Sequence, residues 1–355
     1  MVSIRSTMRI TLAGLVIVGL WAAGVRAEAP KADAPKADAP KADAPKTEAP
    51  KAAETAAEAE LNARMKAIDE AYRKGDFGKA EEEMKAAIRV AETFGPQDER
   101  LVMCLINLCR IYAIQGKYAD AVAPATRVVA IREKAMPDSP ALALALNNLG
   151  GLYKDQSKFA EAEPVFKRAL AIAEKAKGPQ EGIAGAVLNN LAEMYLAENR
   201  LPEAEEAAKR TVAIREKPPA AGSMPATTSL HTLGVILTAE GKFDEAEAAH
   251  KKALEARKKS FGWNRPVMME SMALLAQTYK AQKKYTEAEA LYKEAVAMGQ
   301  GILGSGELVL AQVLEEYADL LKKTNREEDA ARVDGQAKDI RNRLSRPAPA
   351  PAPSK

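Results

Sequence analysis

The chain has 355 residues and sets 52 basic against 49 acidic side chains, a formal net charge of +3. Signs that cancel so nearly exclude a surface built to hold nucleic acid or anionic lipid as the main partner. Aromatic residues make up 5% of the chain and alanine recurs throughout, which favours close helix–helix packing over a sheet sandwich.

The N-terminus places Arg5 and Arg9 ahead of an apolar run from Ile10 to Val25, and small residues Val25 and Ala27 stand at the −3 and −1 positions of a cleavage site. Residues 1–27 therefore read as a Sec-type signal peptide, cut after Ala27. The apolar run has 16 residues, short of the ~20 that span a bilayer. Retention of residues 10–25 as an inner-membrane anchor is the alternative. The expected destination is the periplasm, or the exterior, of a bacterial cell.

Residues 28–60 are of low complexity. Pro30, Pro35, Pro40, Pro45 and Pro50 recur in step with Lys31, Lys36, Lys41, Lys46 and Lys51. With no bulky apolar side chain to bury, this stretch cannot offset the entropy of ordering and is expected to be a disordered, extended spacer. A second disordered segment, rich in proline and alanine, is expected over residues 345–355.

Between these ends the sequence repeats. Ala80, Ala121, Ala162, Ala204, Ala246, Ala288 and Ala330 succeed one another at intervals of 41 or 42 residues. Three positions before them stand Phe77, Tyr118, Phe159, Leu201, Phe243 and Tyr285, with Glu327 in the last unit. A constant period of this size marks a stacked repeat architecture rather than a globular enzyme, here all-α and filling residues 61–344.

Each unit reads as helix A, tight turn, helix B and a looser link. In the third unit helix A covers about Ala141 to Lys154, and Phe159 opens helix B. Gly75, Gly116, Ser157, Asn199, Gly241, Lys283 and Asn325 occupy the turns, most of them types that tolerate the left-handed conformation at a helix C-terminus. Pro202 fits a helix first turn, whereas Pro124 and Pro164 fall later and should bend their helices. The bulky residues opening helices B are expected to pack on Tyr72, Tyr112, Tyr153, Tyr195, Leu237, Tyr279 and Leu321 as a core ladder. Cys104 and Cys109, five apart on one helix, diverge too far to pair comfortably and read as small buried hydrophobes, or as partners in an intermolecular disulfide.

The segment LNNLGGLYKDQSKFAEAEPVFKRALAIAEK, Leu146 to Lys175, resembles the tetratricopeptide repeat in its longer, 42-residue form found in kinesin light chains. Leu188 to Lys217 and Ile106 to Lys134 resemble it equally. The resemblance implies a right-handed α-solenoid superhelix of about seven helix-turn-helix units, its concave face lined by helices A. It also implies that an extended peptide or partner helix lies in that groove. Asparagines placed like Asn107, Asn148 and Asn190 hydrogen-bond a peptide backbone in the resembling family.

On this reading the binding candidates are Asn107, Arg110, Asn147, Asn148, Lys154, Asn189, Asn190, Glu193 and His231. An amide offers donors and an acceptor to any main chain, and the charged members add preference. The alternative is that the asparagines only fix helix–helix geometry. Units five to seven replace them, with Thr232 beside His231, then Ala273, Leu274 and Gln277. The lysine–asparagine carboxylate clamp of some relatives is not present.

His250 lies mid-helix among charged residues and reads as solvated or packing. No HExxH, GxSxG, phosphate loop or CxxC pair occurs, so no catalytic residue, cofactor or metal site is expected. The expected function is a non-catalytic interaction scaffold for a protein or peptide partner, a regulatory subunit being one form of it. The alternative is an envelope spacer, a self-associating solenoid tethered by the proline-rich arm.

Overall fold

A computed structural model of the chain describes residues 49–175, 181–218, 222–261 and 264–345. The expected signal segment, the spacer up to residue 48 and the tail from residue 346 lie outside them. The described residues form fourteen helices and no strand. In chain order they are α1 (Ala49–Lys74), α2 (Phe77–Glu92), α3 (Glu99–Ile114), α4 (Tyr118–Ala135), α5 (Pro140–Asp155), α6 (Phe159–Ala173) and α7 (Glu181–Ala197). There follow α8 (Leu201–Arg215), α9 (Met224–Ala239), α10 (Phe243–Phe261), α11 (Arg265–Ala281), α12 (Tyr285–Gly299), α13 (Ser305–Lys323) and α14 (Glu327–Leu344). Odd-numbered helices are the A helices and even-numbered ones the B helices.

Contacts divide the chain into two units, Met1–Val187 and Leu188–Lys355. In the first, α1 to α6 pack each on the next. In the second, α8 to α14 do the same, and α9 touches α11 as α11 touches α13. Helix is thus laid on helix in sequence order, the solenoid plan that the period predicts.

The seven aligned alanines are all fully buried. Each lies in the first turn of its B helix, where a larger side chain would push the preceding A helix away. Position in the repeat also fixes the turns. Gly75, Gly116, Ser157, Asn199, Gly241, Lys283 and Asn325 all have φ between 58° and 79°, in the left-handed region. The next amide then reaches back across the turn, as Lys117 N–H does to the Tyr112 carbonyl at 2.8 Å and Arg326 N–H to the Leu321 carbonyl at 2.9 Å. This is a Schellman closure, and it satisfies carbonyls that the ending helix leaves orphaned. Pro202 sits in the first turn of α8, and α4 and α6 run on through Pro124 and Pro164.

Two expectations need correction. The spacer expected over 28–60 gives way earlier to α1, which reaches back to Ala49, because beyond Pro50 the chain holds only helix-forming Ala, Glu and Lys with one Thr. Glu58 on this extension pairs with Arg100 of α3 at 2.8 Å. The aromatic ladder is also less of a core than expected. Phe77, Tyr118, Phe159, Phe243 and Tyr285 are only half-buried, since they border the exposed turn. In the first repeat, Ala71 takes the register expected of Tyr72; its carbonyl closes the turn, and Tyr72 meets Phe77 edge-on at 5.5 Å.

Salt bridges repeat with the same register. Glu81, Glu247 and Glu289 each bind a lysine four residues on, and also the cation that precedes the next repeat's B helix: Lys117, Lys284 and Arg326. The hydrogen bond from Lys251 is the main reason the Glu247 carboxyl falls to about 2. Cys104 and Cys109 are buried free thiols.

Candidate functional site

The candidate residues all lie on A helices, and they differ in how far they reach solvent. In the first unit, Asn107 and Asn148 are half-buried and Arg110 is exposed, while Asn147 and Lys154 are buried. Asn107 on α3 and Asn148 on α5 stand 14 residues before Ala121 and Ala162, respectively, and so share one register. Four residues before each comes an apolar side chain left in solvent: Met103, 51% exposed, and Leu144, 43% exposed. Ile114, one turn beyond Arg110, is exposed as well. On α3 this makes a ridge of Met103, Asn107, Arg110 and Ile114 at helical spacing. The apolar members were not among the sequence candidates, although the 41-residue interval from Met103 to Leu144 was there to be read.

In the second unit the corresponding residues are drawn inward. Asn189, Asn190 and Glu193 on α7 are buried, and Asn189 Nδ2 donates to Glu193 Oε1 at 2.7 Å. Asn189 Oδ1 keeps no partner. Glu316 on α13 takes the register of Asn107 and is buried, which raises its carboxyl pKa.

His231 is corrected most firmly. It is 1% exposed and turned into the body of the repeats, not onto an open face. Its Nδ1 meets His250 Nδ1 at 2.8 Å, and its Nε2 meets Ser271 Oγ at 3.0 Å. His250, read from sequence as solvated or packing, is equally buried. Its ring lies against Gly234, where a Cβ would stand 2.5 Å from Nε2. Burial pushes both imidazole pKa values down, His250 to about 3, with the nearby Arg257 charge adding to the effect.

Arg257 was missed altogether. Fully buried on α10, it donates to Ser271 Oγ at 2.8 Å, to the Val267 carbonyl at 3.2 Å and to Glu270 at 3.0 Å. One repeat earlier Arg215 on α8 does the same, donating to Ser229 Oγ at 2.7 Å and to the Pro225 carbonyl at 3.1 Å. In both cases the arginine precedes its serine by 14 residues. That recurrence was a legible sign that each arginine locks the next A helix.

Among the described residues no three His, Cys, Asp or Glu side chains are placed to hold a metal ion, and no helix is long and apolar enough to cross a membrane. What the A-helix face offers is amide hydrogen bonding flanked by apolar anchors and a charge, the chemistry of main-chain recognition.

The sequence matches the tetratricopeptide repeat family over residues 61–134, 141–217 and 225–301. No curated protein matches it. Among solved structures, BtubC (BKLC) from P. vanneervenii is similar with a TM-score of 0.57 at 20% identity, over 67% of this chain and 96% of that one. A Podosopora anserina putative kinesin light chain with nearly identical TPR-like repeats gives 0.50 at 22% identity over 59% and 99%. A Rap protein complexed with competence and sporulation factor gives 0.54 at 16% identity over 78% and 73%. These likenesses concern the fold.

Proposed function

This chain belongs to the tetratricopeptide repeat family, and from that premise we propose that it is an exported, non-catalytic scaffold that seats an extended segment of a partner protein on the A-helix face of its first unit. Tetratricopeptide arrays are protein–protein interaction scaffolds as a class. The observation that carries the finer reading is the recurrence of one motif on α3 and α5: an exposed apolar residue, then an asparagine four residues on. Met103 with Asn107, and Leu144 with Asn148, give two equivalent stations at the repeat interval. The amides would hold the segment's backbone and the apolar side chains its residues, with Arg110 favouring a nearby carboxylate.

Export rests on the N-terminal segment, and the mass of the mature chain from envelope fractions tests it, with Glu28 the expected first residue. For the binding reading, Met103→Glu with Leu144→Glu, and separately Asn107→Ala with Asn148→Ala, are compared with wild type. The protein that wild type recovers from envelope extracts is then purified and titrated against all three. Affinity is expected to fall at least tenfold in both variants, each retaining wild-type helicity. Equal affinity in all three would rule out this face.

A further inference from the structure

We propose that the His231–His250 pair is an acid-sensitive latch, joining α9, α10 and α11 while both rings are neutral and share one proton between them, and releasing them when either ring gains another. The hydrogen bonds count out the protons. Ser271 Oγ donates to the Val267 carbonyl at 3.0 Å, so its only hydrogen is used. The same oxygen therefore accepts, from Arg257 Nη1 at 2.8 Å and from His231 Nε2 at 3.0 Å. His231 thus carries its proton on Nε2, and its Nδ1 is bare. Across the 2.8 Å gap, His250 Nδ1 must be the donor. Its own Nε2 is then a bare lone pair, and indeed it has no partner there, pressed against Gly234.

A further proton finds no good place. On His231 Nδ1 it would set two N–H groups head to head at 2.8 Å. On His250 Nε2 it would bury a charged donor with no acceptor. The charges around the rings offer no relief. From α10 the facing group is Arg257, which is itself cationic. From α11 it is Glu270, engaged by Arg257 and partly in solvent. On α8 the cation is Arg215, held away on Ser229 Oγ and the Pro225 carbonyl. On α9 itself Thr227 and Thr228 accept from Arg257. Among the described residues no carboxylate acts on either ring to balance an imidazolium, so protonation is met by separation of the helices.

These are the only two histidines of the chain. Carboxylates in an unfolded chain titrate near 4, and the raised pKa of buried Glu316 makes the fold more stable, not less, as pH falls, so opening between pH 7.5 and 5.0 reads the pair. Hydrogen exchange with mass spectrometry on the full chain, corrected for the intrinsic pH dependence, reads the opening of α9–α11 against α3–α5 as internal reference. An unfolded imidazole titrates near 6.5 and folded His250 at about 3, so acidification should raise the opening constant about 30-fold through His250. His231, shifted in the same direction, raises it further.

The control comes from the repeats themselves. Asn147 and Asn189 hold on α5 and α7 the position of His231, and Phe166 holds over Gly150 the position of His250. The double variant His231→Asn with His250→Phe should therefore fold and lose the acid response. An equal response in the variant, or no response in wild type, overturns the latch. So does a wild-type histidine NMR resonance titrating near pH 6.5, a measurement independent of how the variant folds.

Discussion

One added methyl group should have opposite effects at three glycines in helices. Gly335, in the interior of α14, has nothing within 4 Å of where a Cβ would stand. Gly335→Ala should therefore gain only the relief of backbone entropy, about 0.5 to 1 kcal/mol of stability. At Gly150 on α5 the new Cβ would lie 2.7 Å from Phe166 Cε1, and that ring is fully buried. Overpacking a filled site costs about 1 to 3 kcal/mol, so after the helical gain Gly150→Ala should lose about 1 kcal/mol. Gly234→Ala meets the same crowding and also displaces His250 from its hydrogen bond to His231. One further buried hydrogen bond, about 1 kcal/mol, brings that loss to about 2 kcal/mol.

Because repeat arrays can open piecewise, the assay is hydrogen exchange resolved to each helix pair, supported by urea unfolding followed by circular dichroism. The expected ranking is Gly335→Ala above wild type, then Gly150→Ala, then Gly234→Ala, with losses local to α5–α6 and α9–α10. The bound on the effect at Gly150 comes from repeat six, where Ala276 and Tyr292 occupy the equivalent positions and both are fully buried. An array that seats a ring over alanine there must place it differently, and the cost measures that shift. If Gly150→Ala and Gly234→Ala stabilise as much as Gly335→Ala, the close-packing argument for the A–B interface is refuted.

The arginine locks should differ in strength. Arg257→Met strips donors from Ser271, Thr227 and the Val267 carbonyl and should cost about 3 kcal/mol by urea unfolding, whereas Arg215→Met, at a half-buried site, should cost about 1 kcal/mol. Equal losses would mean that burial does not set their worth. Burial also lifts the Cys104 thiol to about 11 and the Cys109 thiol to about 12, so neither forms thiolate at pH 8 in the folded chain. A disulfide reagent should detect no thiol before urea is added and two afterwards.

How far the sequence could be read depended on whether repeat position or residue type was used. Position succeeded at the turns: Ser157 and Lys283 are left-handed although neither is a type that favours it, because the A–B junction requires that conformation of whatever stands there. Residue type left His250 open between a solvated and a packing role. Its neighbours Glu247, Lys251 and Lys252 suggested a solvated face, yet His250 lies 84 residues after Phe166, as Gly234 lies 84 after Gly150. Aligning the repeats would have put it inside. The binding candidates differ in exposure for a related reason. Asn107 and Asn190 share a register, but α3 leaves its asparagine half-exposed while α7 buries its own. Exposure depends on the neighbouring repeat, which a motif read one unit at a time does not contain.

That dependence explains how a uniform plan holds such unlike interiors. The space between an A helix and its B helix is filled by Phe166 over Gly150, by Tyr292 over Ala276, and by small residues on both sides at Ala192 and Ala208. Each filling need satisfy only the helices next to it, so a polar one is admissible wherever its hydrogen bonds can be completed locally. Between α9, α10 and α11 they are completed by two imidazoles, a serine and an arginine, with a single nitrogen left over. Such a filling concentrates proton sensitivity in one stretch of the array and leaves the apolar stretches indifferent to it. A uniform interior of leucines would have held as well, but it would have responded nowhere.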